Sequence, residues 1–128
     1  MAKYKYDIEN QLISFSIQII LVCGSINKSF ATEHLAKQLI RLTTSAALNY
    51  GEAQSAQSPR DFLHKMRLCL KELRESLVNL KIQKVANLIK DLNKLDDLIV
   101  ENNQLIAIFV TSIKTSEQKI NENFSFKN

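Results

Sequence analysis

The stretch QLIRLTTSAALNYGEAQSAQSPRDFLHKMRLCLKELRES, Gln38 to Ser76, joins two helically patterned segments through Ser58-Pro59. Ser58 is suited to accept an orphan amide bond as an N-cap, Pro59 fits the first helical position, and Asp61 favours the positive end of the helix dipole. A helix therefore starts at Pro59. Upstream, Leu35, Leu39, Leu42, Ala46 and Ala53 recur at helical spacing. Beside them Gln38, Arg41, Ser45, Asn49 and Glu52 form a second stripe, about 80° wide at 100° per residue. Its short amides and hydroxyl suit a protein–protein seam better than a wet surface. If the stripe is buried, each polar group needs a partner, from another helix or from a ligand.

Downstream of Pro59, the residues Phe62, Met66, Cys69, Leu73, Leu77 and Leu80 repeat at spacings of four and three, which predicts a core-facing stripe. Arg60, His64, Arg67, Lys71 and Arg74 fall on one flank of the same helix, about one per turn, while Asp61, Glu72 and Glu75 fall on another. Like charges one turn apart oppose helix formation, so this sorting does not serve the helix by itself. It makes a basic ridge.

Over about forty residues this text is similar to a bacterial four-helix-bundle family, the proteins encoded in intervening sequences of large-subunit ribosomal RNA genes. The likeness rests on Gln38, Arg41, Ser45, Asn49 and Glu52 in the second helix, Ser58 and Phe62 at the turn, and Glu72 and Glu75 in the third. The resemblance implies an up-and-down four-helix protomer that assembles into a ring-like homopentamer. It also implies kinship with the accessory proteins of diversity-generating retroelements, whose ring offers a basic surface to nucleic acid and to a reverse transcriptase.

The whole chain agrees with an all-α reading. Its 128 residues are 45% hydrophobic and 23% charged, with two Gly and one Pro, which suits a single helical domain better than a turn-rich sheet. The net charge of +4 is unevenly spread: Lys28 to Lys90 holds 11 Lys or Arg against 5 Asp or Glu, and Asp91 to Glu122 holds 3 against 6. The middle is basic and the last helix acidic, an asymmetry that serves either nucleic-acid attraction or pairing between subunits. Cys23 and Cys69 lie outside any CxxC motif and read as two reduced thiols. The start MAKYKYDIEN lacks the order of a signal peptide, and no segment reaches the length of a membrane span, so a cytoplasmic location is expected.

Four helices are expected, at about 7–26, 32–57, 59–83 and 92–120, with 121–128 a flexible tail. Asp7 is the first N-cap, Asn27 a left-handed cap, and Thr32 the start of the second helix. In the first helix Ile8, Leu12, Phe15, Ile19, Val22 and Ile26 make the core stripe, but Ile13, Ile17, Ile20 and Leu21 add apolar surface outside it. A helix so widely apolar is either central to a monomer or partly buried in a subunit interface, and the second fits a chain of this size better. The third helix has no Gly or Pro to end it between Lys81 and Lys94. The fourth shows a stripe of Leu95, Ile99, Asn102, Ile106, Phe109 and Ile113, in which Asn102 is either a buried register-setting amide or a residue at the wet edge.

No phosphate loop, nucleotide fingerprint, zinc motif or nucleophile triad is present in the sequence. Glu72 and Glu75 lack a second ligand set for a metal and are expected to pair with Arg41 or a neighbouring subunit's cations. His34 and His64 have no metal-ligand neighbours in sequence. No enzymatic activity, cofactor, metal or small-molecule substrate is expected. The expected function is an oligomeric scaffold that binds RNA, another nucleic acid or a nucleoprotein through Arg60, His64, Arg67, Lys71 and Arg74. The alternative is a structural or protein-binding homo-oligomer whose basic ridge meets the acidic fourth helix of the next copy.

Overall fold

Capping chemistry sets the helix starts. In the computed structural model, which describes residues 7–25 and 28–127, Asp7 accepts the Asn10 N–H at 3.1 Å and opens α1, Ile8–Gly24. Ser29 and Thr32 then form a reciprocal capping box: the Ser29 hydroxyl accepts the Thr32 N–H at 3.1 Å, and the Thr32 hydroxyl accepts the Ser29 N–H at 2.8 Å. This pairing makes Thr32 the third helical residue, so α2, Phe30–Gln54, begins two residues before the expected start. The expected cap at Asn27, with Ile26, lies outside the described residues.

Ser58 caps α3, Pro59–Val85, as its sequence indicates, with its hydroxyl 3.0 Å from the Asp61 N–H and its backbone extended. An N-cap of this kind stabilises a helix by about 1 kcal/mol. Extended backbone at Ser58 has to follow a chain reversal, and α2 stops at Gln54 to leave room for it.

The end of α3 is made without Gly. Asn87 adopts a left-handed φ of 57°, the Leu88 N–H reaches the Gln83 carbonyl at 3.0 Å, and the Asn87 N–H reaches that of Lys84 at 3.1 Å. This paired closure satisfies two orphan carbonyls, with a short amide side chain standing where glycine is usual. Ile89 then plugs the core at 4% exposure, and the Asp91 carboxylate accepts the Lys94 N–H at 3.0 Å to start α4. α4, Leu92–Lys127, runs past the expected boundary at residue 120, through a segment with no Gly or Pro to stop it.

The described residues form four helices and no strand, an all-α architecture. Each helix packs on its neighbour in sequence and α1 closes onto α4, so α1 and α3 stand diagonally. Of these four pairs α2–α3 is the most extensive and α1–α4 the slightest. The predicted stripes build the core: Leu12, Phe15 and Ile19 from α1, Leu39 and Ala46 from α2, Met66, Cys69 and Leu73 from α3. In α4 the stripe is rotated slightly, so Leu98 and Leu105 are buried while Ile99 and Ile106 are only half-buried. Phe109 is fully buried and meets the edge of Tyr50 with ring centres 5.8 Å apart. Each large side chain buried this way contributes about 1.5–3 kcal/mol before conformational entropy is counted.

Candidate nucleic-acid interface and polar seam

α3 carries two different surfaces because its residues advance by 100°. The outward one presents Arg60, His64, Arg67, Lys71 and Arg74, all exposed. Arg67 is held by Glu117 of α4, with Nη2 2.6 Å from the carboxylate, and Lys84 further along is held by Asp96 at 2.7 Å. Some of the attraction between basic α3 and acidic α4 is therefore met inside one chain. Arg60, Lys71 and Arg74 make no hydrogen bond or ion pair with any described residue. Arg60, Leu63 and Arg67 face Lys114, Glu117 and Gln118 across a shallow groove between α3 and α4.

The inward surface of α3 meets the polar stripe of α2. Asn49 donates through Nδ2 to Glu72 at 2.8 Å, with Ser45 beside it at 3.5 Å. Two turns further along, the Asn79 amide donates to Gln38 Oε1 at 2.9 Å and to the Leu35 carbonyl at 3.1 Å, and its Oδ1 accepts from Gln83 at 2.7 Å. The stripe thus becomes two cross-helix clusters, one around Glu72 and one around Asn79.

Two expected members of the polar network, Arg41 and Glu75, make no contact across the seam, while a third, Glu52, crosses it from α2 to α3 by an ion pair. Glu52 is an ion-pair partner of Lys65 at 3.7 Å. Arg41 and Glu75 are exposed and make no hydrogen bond or ion pair with any described residue, and Glu72, expected to meet Arg41 or a neighbouring subunit's cations, takes the Asn49 amide within the chain. The reason is angular: on the wheel of α2, Arg41 and Glu52 lie at the outer edge of the stripe, and Gln38, Ser45 and Asn49 at the edge nearer the core. Asn79 and Gln83 were not singled out from the sequence. The signal for them is their spacing of four, on the flank that also holds Glu72 and Ser76.

Asn102 is a core residue, with no exposed surface, and it donates to the Leu73 carbonyl at 2.9 Å. Its Oδ1 has no partner among the described residues, and the same is true of Gln83 Oε1 and Ser16 Oγ. Both cysteines are free thiols. Burial pushes Cys23 up to about 11, and burial reinforced by the Glu72 carboxylate pushes Cys69 up to about 12. In the seam between α1 and α4, burial raises the Glu101 carboxyl, opposed by Lys94, which itself bonds to Gln18. Among the described residues no three His, Cys, Asp or Glu side chains gather as metal ligands, and no helix is long and apolar enough to cross a membrane.

A four-helix, all-α bundle with polar clusters across its best-packed seam is the class this geometry defines. It is similar to a solved structure of a protein of unknown function from the S23 ribosomal protein family of Bacteroides thetaiotaomicron, with a TM-score of 0.74 and 22% identity over 84% of this chain and 98% of that one. At that identity the likeness establishes the fold alone. No protein-family model matches the sequence, and no curated protein matches it.

Proposed function

We propose that this chain is a non-enzymatic, homo-oligomeric scaffold that holds nucleic acid, RNA foremost, or a nucleoprotein against the outer face of α3. The observation that carries the reading is the row of exposed cations, in which Arg60, Lys71 and Arg74 have no acidic partner among the described residues. Cations left unpaired along one helix face suit phosphates, and the ridge has no Phe, Tyr or Trp to stack on bases. Structured RNA or duplex therefore fits better than splayed single strand. The resemblance to the intervening-sequence family adds a ring-like homopentamer. Such a ring would repeat the ridge around its circumference and raise affinity through multivalency.

The test is fluorescence anisotropy with a structured RNA and a duplex DNA across a salt series, comparing the parent with the double variant Arg60→Glu, Lys71→Glu. Both positions are exposed and unpaired, so the fold should survive. With about four duplex phosphates engaged per copy, log K should fall against log salt with a slope of about −3.6. The variant should lose at least tenfold in affinity while keeping its mass by light scattering. Absence of parent binding near physiological salt, or a variant that binds equally well, refutes the nucleic-acid role.

A second reading, an assembly with no nucleic-acid partner, is favoured by the exposed apolar face of α1. Its mark is a parent that stays oligomeric and ignores polyanions.

A further inference from the structure

The contacts of Arg67 with Glu117 and of Lys84 with Asp96 run α4 antiparallel to α3, so the start of α3 lies beside the later half of α4. The groove between them has a volume of about 630 Å³, within the roughly 300–1,000 Å³ of ligand-holding clefts. Buried Leu63 and half-buried Ile120 line its depth. Its charged lining is Arg60, Arg67 and Lys114 against the Glu117 carboxylate, an excess of two positive charges among the described residues. Asp61 and Glu122, the other acids at this end of the two helices, are turned about 100° from Arg60 and about 80° from Lys114. Apolar walls with one sign of charge in excess concentrate the field and draw in anions.

Arg67 alone of these three cations has a partner among the described residues. Its Nη2 lies 2.6 Å from the Glu117 carboxylate, whereas Arg60 and Lys114 are exposed and make no hydrogen bond or ion pair with any described residue.

The Arg67–Glu117 pair is open to water, with side chains 53% and 43% exposed. An ion pair so placed is screened by salt and adds little stability, so little is lost when another anion takes the carboxylate's position. A guanidinium grips carboxylate and phosphate with the same planar fork.

We infer that this groove takes backbone phosphates of nucleic acid on Arg60, Arg67 and Lys114, and that Glu117 is a placeholder which phosphate displaces from Arg67. The inference rests on the nucleic-acid function proposed above and carries its contact surface from α3 onto α4. Lys114 thereby joins the binding residues, although it lies on a different helix from the ridge. Glu117 holds the Arg67 guanidinium in the free chain and turns out to solvent on binding, which its exposure allows. A free phosphate must displace the carboxylate unaided. A strand already held at Lys71 and Arg74 presents its next phosphate at high effective concentration, so the polymer is the favoured source.

The experiment is fluorescence anisotropy of the full chain with a structured RNA across a salt series, with helicity checked by circular dichroism and mass by light scattering. Glu117→Gln should tighten binding by about 1.5- to fivefold, the size of an exposed ion pair's contribution. In an Arg67→Gln background the same change should have no effect, because no guanidinium is left to release. A carboxylate that only repelled RNA at long range would give equal gains in both backgrounds. Lys114→Ala should make the slope of log K against log salt shallower by about 0.9. Lys119→Ala, at an exposed lysine of α4 outside the groove, should leave that slope unchanged. Inorganic phosphate should displace RNA no better than chloride at equal ionic strength. A parent that ignores RNA near physiological salt overturns the nucleic-acid function and this site with it. RNA binding with equal Glu117→Gln gains in both backgrounds, or with matching slopes for Lys114→Ala and Lys119→Ala, overturns the groove alone. So does displacement by phosphate beyond chloride, which makes the groove a site for the free anion, or a variant of altered mass, which makes it a contact between copies.

Discussion

The same substitution, Asn→Leu, should have opposite effects at two buried asparagines of this bundle. Asn79 is 2% exposed and has both ends of its amide occupied, by the Leu35 carbonyl and Gln38 on one side and by Gln83 on the other. Its replacement removes three hydrogen bonds, each contributing about 0.5–1.5 kcal/mol net. Gln38 can return to water, but Gln83 is fully buried and its Oε1 is already without a partner. Leaving its Nε2 bare as well costs about 1–3 kcal/mol. Even with the added apolar contact, Asn79→Leu should destabilise by about 2–4 kcal/mol. Asn102 presents the reverse balance: one bond to the Leu73 carbonyl is lost, but an oxygen buried without a partner is removed. Leu has the same heavy-atom count, so Asn102→Leu should stabilise by about 1 kcal/mol. In a chain of this size, that raises the melting temperature by about 3–5 °C. Urea titration at fixed chain concentration measures both variants and keeps any linkage to assembly constant. Shifts of the same sign, or a loss above about 1 kcal/mol for Asn102→Leu, would show that the two amides do not differ in satisfaction as described.

Other outcomes follow from single groups. Ser58→Ala should cost about 1 kcal/mol by urea denaturation, whereas Ser58→Gly should cost only a few tenths. The two thiols, held at about 11 and about 12 against an ordinary 9.0, should react slowly with a disulfide reagent at pH 8 until urea unfolds the chain. Because their folded values are raised, the stability they confer is complete below pH 9.0 and is lost as pH rises toward those values. Replacing both with Ala should flatten that part of the urea-midpoint profile. Burial raises the Glu101 carboxyl, so its ionised form is disfavoured in the fold at neutral pH. Glu101→Gln should therefore raise the melting temperature at pH 7, and the gain should vanish below the ordinary carboxylate range, where the parent is protonated as well.

Much of this architecture was legible in the sequence because it follows from a 3.6-residue period and from capping residues. Ser58-Pro59 marks a true helix start, and the Leu12–Phe15–Ile19 and Met66–Cys69–Leu73 stripes are core. The end of α3 was not legible, since Asn87 takes a backbone conformation that a pattern search assigns to glycine. In α4 a four-three ladder can step through either Leu98 and Leu105 or Ile99 and Ile106, and only packing against α3 and α1 decides between them. The seam shows the same limit. Periodicity places Gln38, Ser45 and Asn49 on one flank of α2, but their partners depend on how α3 is turned about its own axis. The basic ridge needed no partner to be seen, because its members are charged and recur about once per turn.

The pairing of each helix with its sequence neighbour also bears on how quickly the chain acquires its shape. α2 and α3 share the most extensive contact and are separated by four residues, so their meeting closes only a short loop. Topologies dominated by such local encounters fold in microseconds to milliseconds. During synthesis the α2–α3 hairpin can form once Val85 has emerged, before α4 has followed it out of the ribosome. α4 then arrives as the last wall. Until it does, Leu73 and Met66 are shielded on one side only, and the interval most open to aggregation is the emergence of the 36 residues from Leu92 to Lys127.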